Sequence, residues 1–502
     1  RGRAYFDLTS MQWMMYDGLG VLPAEIVKTI GGHQPEIPVP ADPFDGPDGR
    51  RRKQSGLRLL RALWGLPRRM RAAGDRYLDD MRRHAALDFD AMSDAEIREW
   101  LSRLERDSMT MAPIIGLANT YPGPWQMLAE SLLRPVAAAD TTAILSRLLA
   151  GGGNVTSAEQ SYRLHTLAEV ARSDAAAMHW LAQDAPATTW TTLPDASPFR
   201  RELSRFLDEF GHRAVYEADI LNPRWADDPG FIVDQIRAHL RGPVRESPRD
   251  AAARTRQDGD AAVRRRTLWR RPLIRWAVAR LQQALALREY SKSVLASIVL
   301  PMRRCYLAVG RRLTARGLLT RPEGIFHLSK IDLMTLLSRE WDGRGAGALS
   351  EDRAARRDAW LAEPTPPDVI VEGGSVPHAA MAVPAAIESA DGWSGIGVSG
   401  GRAAGRARPI HHPHDGDRLA HGDVLVAPST DPGWTPLFLR AAAIVMESGG
   451  YLSHGAIVAR EFGLPAVVNI PGIVDQLSDE DVILVDGDAA RVRRVDATAA
   501  DA

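Results

Sequence analysis

The segment around His454 carries residue types that suit phosphoryl-group chemistry. An apolar run at 443–446 leads into two glycines at 449–450, and the spacing of apolar residues predicts a helix from near Ser453 to Gly463. His454 would then lie at the amino terminus of this helix, where unpaired N–H groups and the helix dipole stabilise an anion. A neutral imidazole is a good nucleophile near pH 7, and a phosphoryl group attached to it remains transferable. The pattern indicates a phosphocarrier histidine, with a purely structural histidine as the alternative that spacing alone leaves open.

A second candidate is the pair Arg288 and Lys292, which lie four residues apart on a predicted helix. Their charged ends would share one face, and Lys292 is one of only four lysines in the chain. Two cations on one face suit a phosphoryl group in transit, whose negative charge lies on its equatorial oxygens. The alternative is a solvent-exposed basic helix face with Glu289 as a salt-bridge partner.

Long helices are predicted for most of the chain before these residues. From about 57 to 365, apolar residues recur every three or four positions in a background rich in Ala, Leu, Arg and Glu. Ser93–Glu96 and Thr156–Glu159 have capping-box spacing, which predicts helices beginning near 94 and 157. The segment 38–56 is rich in proline and glycine and includes a basic cluster at 50–53, so we expect an exposed loop there.

The sequence changes character after residue 365. Residues 366–394 are enriched in Pro, Ala, Gly and Ser, as in a flexible linker. Beyond them, short β-type runs alternate with turns, and the last two runs resemble a hairpin joined at Asp486-Gly487. The predicted fold is therefore multidomain: a mostly α-helical domain (1–365), a linker (366–394) and a small α/β domain (395–502).

Composition narrows the classes of function. The 502 residues are 45% hydrophobic and 25% charged, which excludes a disordered chain, and 63 basic residues balance 63 acidic ones. No global basic field argues for a nucleic-acid partner, and we expect no membrane-spanning segment. The single cysteine, Cys305, fits a reducing cytoplasm. No Walker-type nucleotide loop is present, and His411, His412 and His414 have no positioned carboxylate or thiol partners, so we assign no metal ligands.

The run Gly449-Gly-Tyr-Leu-Ser-His454-Gly-Ala-Ile-Val-Ala-Arg-Glu461 resembles the signature of the swivelling phosphohistidine domain of phosphoenolpyruvate-utilising enzymes. A long helical domain placed before this one is similar to the rifampin phosphotransferase family. The segments 5–17, 206–225, 288–292 and 324–328 extend the likeness. The pyruvate-binding barrel of phosphoenolpyruvate synthase has no counterpart after His454, so pyruvate chemistry is not expected.

The resemblance implies roles for individual residues. It makes His454 the phosphorylated residue, with Thr430, Ser453 and Arg460 as candidate phosphate contacts. It places Arg288, Lys292 and Gln12 beside the acceptor hydroxyl. Other candidates for acceptor contacts are Met14 and Met15, which would suit a large apolar molecule, and Glu217, with Asp219 as a weaker one. The alternatives are core packing for the methionines and ion pairs with Arg213 or Arg224 for the acids.

The function implied by the resemblance is phosphoryl transfer in two steps. An ATP-grasp domain with Mg²⁺ would pass the β-phosphoryl group of ATP to the histidine, which would then phosphorylate a hydroxyl of a small molecule, such as a rifamycin. Because the chain starts at Arg1 and carries no nucleotide motif, we expect that domain in a preceding segment or on a partner. Two alternatives remain: a related phosphotransferase that acts on another alcohol or phenol, and a nonenzymatic phosphohistidine relay.

Overall fold

The computed structural model describes residues 7–30, 36–137, 140–152, 155–183, 186–241, 248–362, 389 and 392–496. Within these ranges, helices dominate up to residue 362, and a mixed β-sheet with short helices occupies 392–496. The structure therefore confirms the predicted fold class of a helical region followed by a small α/β domain.

The helical region consists of helices joined mostly by short connections. The helices are α1 (Leu8–Leu19), α2 (Pro23–Ile30), α3 (Gly49–Leu63), α4 (Leu66–Ala85), α5 (Asp94–Thr120), α6 (Pro122–Ala137), α7 (Thr141–Leu149), α8 (Thr156–Arg172), α9 (Ala175–Ala182), α10 (Pro198–Phe210), α11 (Gly230–Arg241), α12 (Pro248–Arg266), α13 (Arg271–Ala296), α14 (Val299–Ala315), α15 (Lys330–Leu337) and α16 (Ala346–Ala362).

Helix α13 is the central element of this region. It begins with Pro272 in its first turn, where a missing N–H costs nothing, and continues without glycine or proline to Ala296. It packs against α4, α5 and α6, and its buried residues join two of the apolar clusters. This rigid helix carries Arg288 and Lys292.

The predicted helix starts near 94 and 157 are confirmed at Asp94 and Thr156, but one predicted cap and one predicted loop are wrong. The capping box at Ser93 is present, with reciprocal bonds to Glu96, but Thr156 is already helical, and Val155, the residue before it, provides no side-chain cap. The basic cluster at 50–53 lies in α3 rather than in a loop. Arg52 is buried there and donates to the carbonyl oxygen of Pro43 at 2.9 Å, so tertiary contacts override the loop-like composition.

The α/β domain is built on one mixed sheet. Its strands are β1 (Trp393–Ser394), β2 (Ile396–Ser399), β3 (Arg402–Pro409), β4 (Val424–Ala427), β5 (Ala443–Met446), β6 (Ala466–Val468), β7 (Val482–Asp486) and β8 (Arg491–Arg494), in the order β1-β8-β7-β3-β4-β5-β6-β2. Strands β3 to β6 are parallel, and β2, β7, β8 and β1 pair antiparallel at the two sides. The predicted hairpin is confirmed as β7–β8. The helices here are α17 (Thr435–Phe438), α18 (His454–Phe462) and α19 (Ile473–Gln476).

The two regions are packed against each other. One apolar cluster includes side chains from α6, α7 and α13 together with Trp434, Phe438 and Phe462 of the α/β domain. Polar bonds also cross the boundary, because Tyr162 Oη donates to the carbonyl oxygen of Glu461 at 2.8 Å and Gly400 N–H donates to Ser146 Oγ at 3.1 Å. The structure therefore places the α/β domain in a docked position on the helical region.

Most of the predicted linker, 366–394, lies outside the described residues.

The stretch Arg271–Ala315 has the length and hydropathy of a membrane span, contrary to the expectation from the sequence. In its most apolar window, 61% of the residues are buried inside the molecule. A long apolar helix that is mostly buried is expected at the centre of a protein core, and α13 occupies that position.

Candidate functional site

Helix α18 places His454 at its first position, as the sequence predicted. Ser453 is the N-cap, and its hydroxyl accepts a hydrogen bond from Ala456 N–H at 3.4 Å. Gly463 ends the helix in the left-handed conformation, with φ of 65°. A side chain at Gly455 would come within 2.4 Å of Thr430 Oγ1, so a glycine is needed beside His454.

The imidazole of His454 points across the boundary to helix α13. Its Nδ1 lies 2.9 Å from Glu289 Oε2, and the two side chains are only 5% and 1% exposed. Glu289 also contacts Lys292 Nζ at 3.0 Å and Arg288 Nη1 at 3.2 Å. One carboxylate thus brings the histidine and both predicted cations into a single cluster, and neither cation lies on a solvent-exposed basic face.

The charges of this cluster are coupled. Burial opposes ionisation of Glu289, but Lys292, His454 and Arg288 hold the pKa of its carboxyl well below its usual range. Burial lowers the pKa of His454 despite the opposing effect of Glu289. Burial likewise lowers the pKa of Lys292, whose side chain is 34% exposed. The favoured arrangement is a carboxylate that accepts a hydrogen bond from a neutral imidazole.

This arrangement fixes which nitrogen of His454 is nucleophilic. An ionised Glu289 can only accept, so the proton lies on Nδ1 and the lone pair on Nε2. Nε2 lies 3.0 Å from the hydroxyl of Thr435, a fully buried residue at the start of α17, which can therefore donate to it. Nε2 is thus held as the basic nitrogen, with the Thr435 hydroxyl at hydrogen-bond distance.

A loop of the helical region secures the docked position next to the cluster. Tyr216 has a φ of 52°, which is unusual for a residue with a side chain, and its N–H donates to Asp431 Oδ2 at 2.8 Å. Gly433 lies so close to this loop that an added Cβ would be 2.8 Å from Val215 Cα. Asp431 is thereby placed between the two regions.

We expect the docked position to weaken as the pH rises towards neutrality. Burial and the nearby charge of Glu217 raise the pKa of Asp431 to about 7. The docked carboxyl of Asp431 holds its proton more tightly than a free carboxyl does. Its favourable contribution to the free energy of unfolding is therefore complete below about pH 4 and is lost as the pH rises through 7. The Asp431→Asn variant should show a flatter dependence of the melting temperature between pH 4 and 8.

The matched control is Asp475→Asn, whose side chain is 82% exposed and which should keep the wild-type pH dependence. An unchanged slope in Asp431→Asn would contradict this assignment of the titrating group.

The predicted phosphate contacts lie near His454 but have other partners in this state. Thr430 Oγ1 lies 3.4 Å from Met446 Sδ, and Ser453 caps α18. Arg460 is buried and donates to the carbonyl oxygens of Tyr451 at 2.6 Å and Val398 at 3.3 Å. These bonds brace the loop before α18, so the phosphate-binding roles stay predictions.

The predicted acceptor contacts differ in their burial and in the residues that they contact. Gln12 is buried in α1, and its side-chain oxygen accepts from Ile37 N–H at 3.0 Å. Met14 is 66% exposed and Met15 is partly buried. Glu217 pairs with Arg213 at 2.8 Å, as in the alternative interpretation, while Asp219 lies 3.5 Å from Arg357. Their roles towards an acceptor also stay predictions.

Sequence reasoning missed Glu289, Thr435 and Asp431 as members of the site. The sequence indicates Glu289 only as a salt-bridge partner. The signal for a larger role is its position on a helix three residues before Lys292, because lysines are rare in this chain. Thr435 and Asp431 both lie close in sequence to Thr430: Asp431 precedes α17, and Thr435 is the first residue of that helix. Nothing in their spacing distinguishes them from cap residues.

Comparisons with known proteins agree with this division of the chain. Residues 116–289 match the family described as rifampicin phosphotransferase fourth domain, and residues 419–490 match the mobile domain of PEP-utilising enzymes. Glu289 and His454 therefore come one from each matched segment.

Several curated relatives are similar to the chain. A rifampicin phosphotransferase of Streptomyces sviceus is 31% identical over 68% of this chain and 40% of its own length. An uncharacterised protein of Mycobacterium tuberculosis is 30% identical over 99% of this chain and 55% of its own. The prodigiosin synthesizing transferase PigC of Serratia marcescens is 32% identical over 61% and 35%. The alignments thus span about a third to a half of these relatives.

Proposed function

Because this chain joins the fourth domain of rifampicin phosphotransferase to the mobile domain of PEP-utilising enzymes, we propose that it is the acceptor-binding and phosphocarrier part of a phosphotransferase. In this proposal, Nε2 of His454 carries a phosphoryl group and delivers it to a hydroxyl of a small molecule bound by the helical region. The enzyme acts in the cytoplasm.

The observation that supports this proposal is the contact between His454 and Glu289 at 2.9 Å. Through Glu289, the imidazole of His454 shares a cluster with two cations of the helical region, Arg288 and Lys292, while its Nε2 faces the hydroxyl of Thr435. Cations fixed in a site of low polarity stabilise the charge of a phosphoryl group in transit. A merely structural histidine would not require a buried carboxylate with two cationic partners.

The two half-reactions use the same nitrogen. In the first, the lone pair of Nε2 attacks the β-phosphorus of ATP, a water takes the γ-phosphoryl group, and AMP and inorganic phosphate leave. In the second, the acceptor oxygen bonds to phosphorus, the Nε2–P bond breaks, and its electrons return to Nε2 while the acceptor proton passes to solvent. Because Nδ1 keeps its proton, the leaving group is a neutral imidazole rather than an anion.

The buried imidazole implies movement between the half-reactions. His454 is covered by α13 and α17 in the docked position, so a nucleotide site can reach it only when the mobile domain leaves α13. ATP and Mg²⁺ belong, in this proposal, to an ATP-grasp domain supplied in the same polypeptide or by a partner. That domain provides the phosphoryl donor, and the residues of this chain receive and pass on the group.

In this proposal, the acceptor approaches the phosphocarrier histidine past Lys292. Lys292 is the more exposed of the two cations at 34%, so an acceptor approaches from its side. Gln12, Met14, Met15 and Glu217 remain our candidates for binding the acceptor, which is a hydroxylated and largely apolar molecule such as a rifamycin.

A second candidate is a phosphotransferase with a different alcohol or phenol acceptor. It is favoured by the names of other relatives, which include the prodigiosin synthesizing transferase and a chondramide synthase of Chondromyces crocatus that is 30% identical over 58% of this chain. Relatives similar to this chain thus carry names connected with different molecules.

The test combines the chain with its ATP-binding portion, ATP labelled at the β-phosphate, Mg²⁺ and a panel of hydroxylated acceptors that includes rifamycin. We expect AMP, inorganic phosphate and a labelled acceptor. Label on a different alcohol but not on rifamycin would support the second candidate. Label that stays on His454 with every acceptor would indicate a relay and overturn the proposal of an enzyme.

A further inference from the structure

A cluster of metal-binding side chains lies on another part of the boundary between the two regions. His165 and Glu169 are four residues apart on α8, and His239 is near the end of α11. His165 Nδ1 and His239 Nε2 are 3.1 Å apart, and the ligand atoms of the three residues all lie within 4.8 Å of one another. Neither matched family description accounts for this convergence.

The donors fit a zinc-type ion. Two imidazoles and one carboxylate are a common ligand set for Zn²⁺, and neighbouring ligands of a tetrahedral ion are about 3.3 Å apart for bonds of about 2.0 Å. The separation of the two ring nitrogens is close to this value. Burial lowers the pKa of His165, and burial together with His165 lowers the pKa of His239 to about 4.

Hydrogen bonding among the described residues accounts for only one nitrogen of the His239 ring. Its Nε2 contacts His165 Nδ1 at 3.1 Å, whereas its Nδ1 is buried without a hydrogen-bond partner among those residues, and the residue is only 9% exposed. A buried polar group of this kind is costly. An ion held between the two rings would contact Nε2 and not Nδ1, so it is the convergence of the three ligand atoms that indicates an ion site.

Arg172 supports the cluster from outside. Its Nε donates to Glu169 Oε1 at 3.3 Å, and its Nη2 donates to the carbonyl oxygen of His239 at 3.5 Å. Carboxylates that bind metal ions are commonly oriented by such a second partner. Arg172 thereby fixes α8 and α11 relative to each other around the three ligands.

The cluster faces the mobile domain. The ring of His421, in the loop before β4, lies 5.8 Å from the ring of His239. Tyr162, three residues before His165 on the same face of α8, donates to the carbonyl oxygen of Glu461. Arg440 of the mobile domain reaches Gln235 of α11 at 3.1 Å. These contacts put the cluster at the docking surface.

We propose that His165, Glu169 and His239 bind a divalent zinc-type ion through one atom each. The ion joins α8 to α11 beside the surface on which the mobile domain docks, and it stabilises the folded chain by linkage. The inference rests on this cluster alone and not on the chemistry of His454.

The test measures Zn²⁺ binding to the metal-free full chain by calorimetry and tetrahedral coordination by the visible absorption of bound Co²⁺. We expect one ion per chain and a rise in melting temperature on adding Zn²⁺. The His239→Ala and Glu169→Gln variants should bind the ion about 10–100-fold more weakly. Glu169→Gln keeps the shape of the side chain, so it remains informative if His239→Ala does not fold.

The matched control is His414→Ala, because His412 and His414 are stacked at 4.9 Å and are the competing pair of imidazoles on the mobile domain. It should bind Zn²⁺ as the wild type does. The proposal is overturned if no ion binds stoichiometrically, or if binding is lost in His414→Ala and retained in Glu169→Gln. The His421→Ala variant should keep both the ion and the rise in melting temperature, and loss of binding in it would overturn the assignment of the three ligands.

Discussion

Replacing His454 with alanine is expected to abolish both half-reactions. The nitrogen that attacks ATP and later releases the phosphoryl group is then missing, and Glu289 loses the imidazole that it contacts in the docked position. Loss of a covalent nucleophile lowers turnover by about 10⁴-fold or more. The measurement uses the chain with its ATP-binding portion and ATP labelled at the β-phosphate, and it follows acid-labile label on the protein and label on the acceptor.

The control for this variant is His179→Ala, which removes an exposed histidine of α9 far along the chain from the cluster. It should acquire the label and turn over as the wild type does. His454→Ala also leaves Glu289 without its Nδ1–H donor, which affects the fold as well as the chemistry. Circular dichroism of both variants therefore separates a loss of folding from a loss of chemistry. Turnover that persists in a folded His454→Ala variant would remove the basis of the proposed function.

The local features of the site were predictable from the sequence because they depend on neighbouring residues. Helix α18 was predicted from its apolar spacing, from Ser453 at its start and from Gly463 at its end. The strands around it were indicated by short β-branched runs between turns, and β5 has the predicted bounds, Ala443–Met446. Local propensity and cap chemistry determine such elements without help from distant parts of the chain.

The contacts of the site could not be predicted in the same way. Glu289 and His454 are 165 residues apart, and their meeting depends on how a whole domain docks on α13. Thr435 and His454 are 19 residues apart, but the turn between β5 and α18 decides whether they meet. Composition failed at 50–53 for a related reason, because the contacts of Arg52 with the residues before it favour helix α3 in a segment with loop-like composition.

The Glu289→Gln variant is expected to separate the two half-reactions. Glu289 belongs to the helical region and meets His454 only in the docked position, so phosphorylation of His454 by ATP should continue. Transfer to the acceptor should fall about 10²–10⁴-fold, because an amide holds the Nδ1 proton less firmly and leaves Arg288 and Lys292 without their counter-charge. Labelled protein should therefore accumulate while labelled acceptor appears slowly.

The accumulation of label distinguishes a positioning role from a structural one. A variant that merely unfolds would lose both steps. The matched control is Glu99→Gln, because the side chain of Glu99 is 68% exposed, and this variant should have normal rates for both steps. The pH dependence gives a second measurement: Glu289 raises the pKa of His454 against the effect of burial, so in Glu289→Gln the imidazole stays neutral to a lower pH. If label fails to reach a folded Glu289→Gln variant, the carboxylate acts in the first step, and the assignment of the docked position to acceptor transfer is wrong.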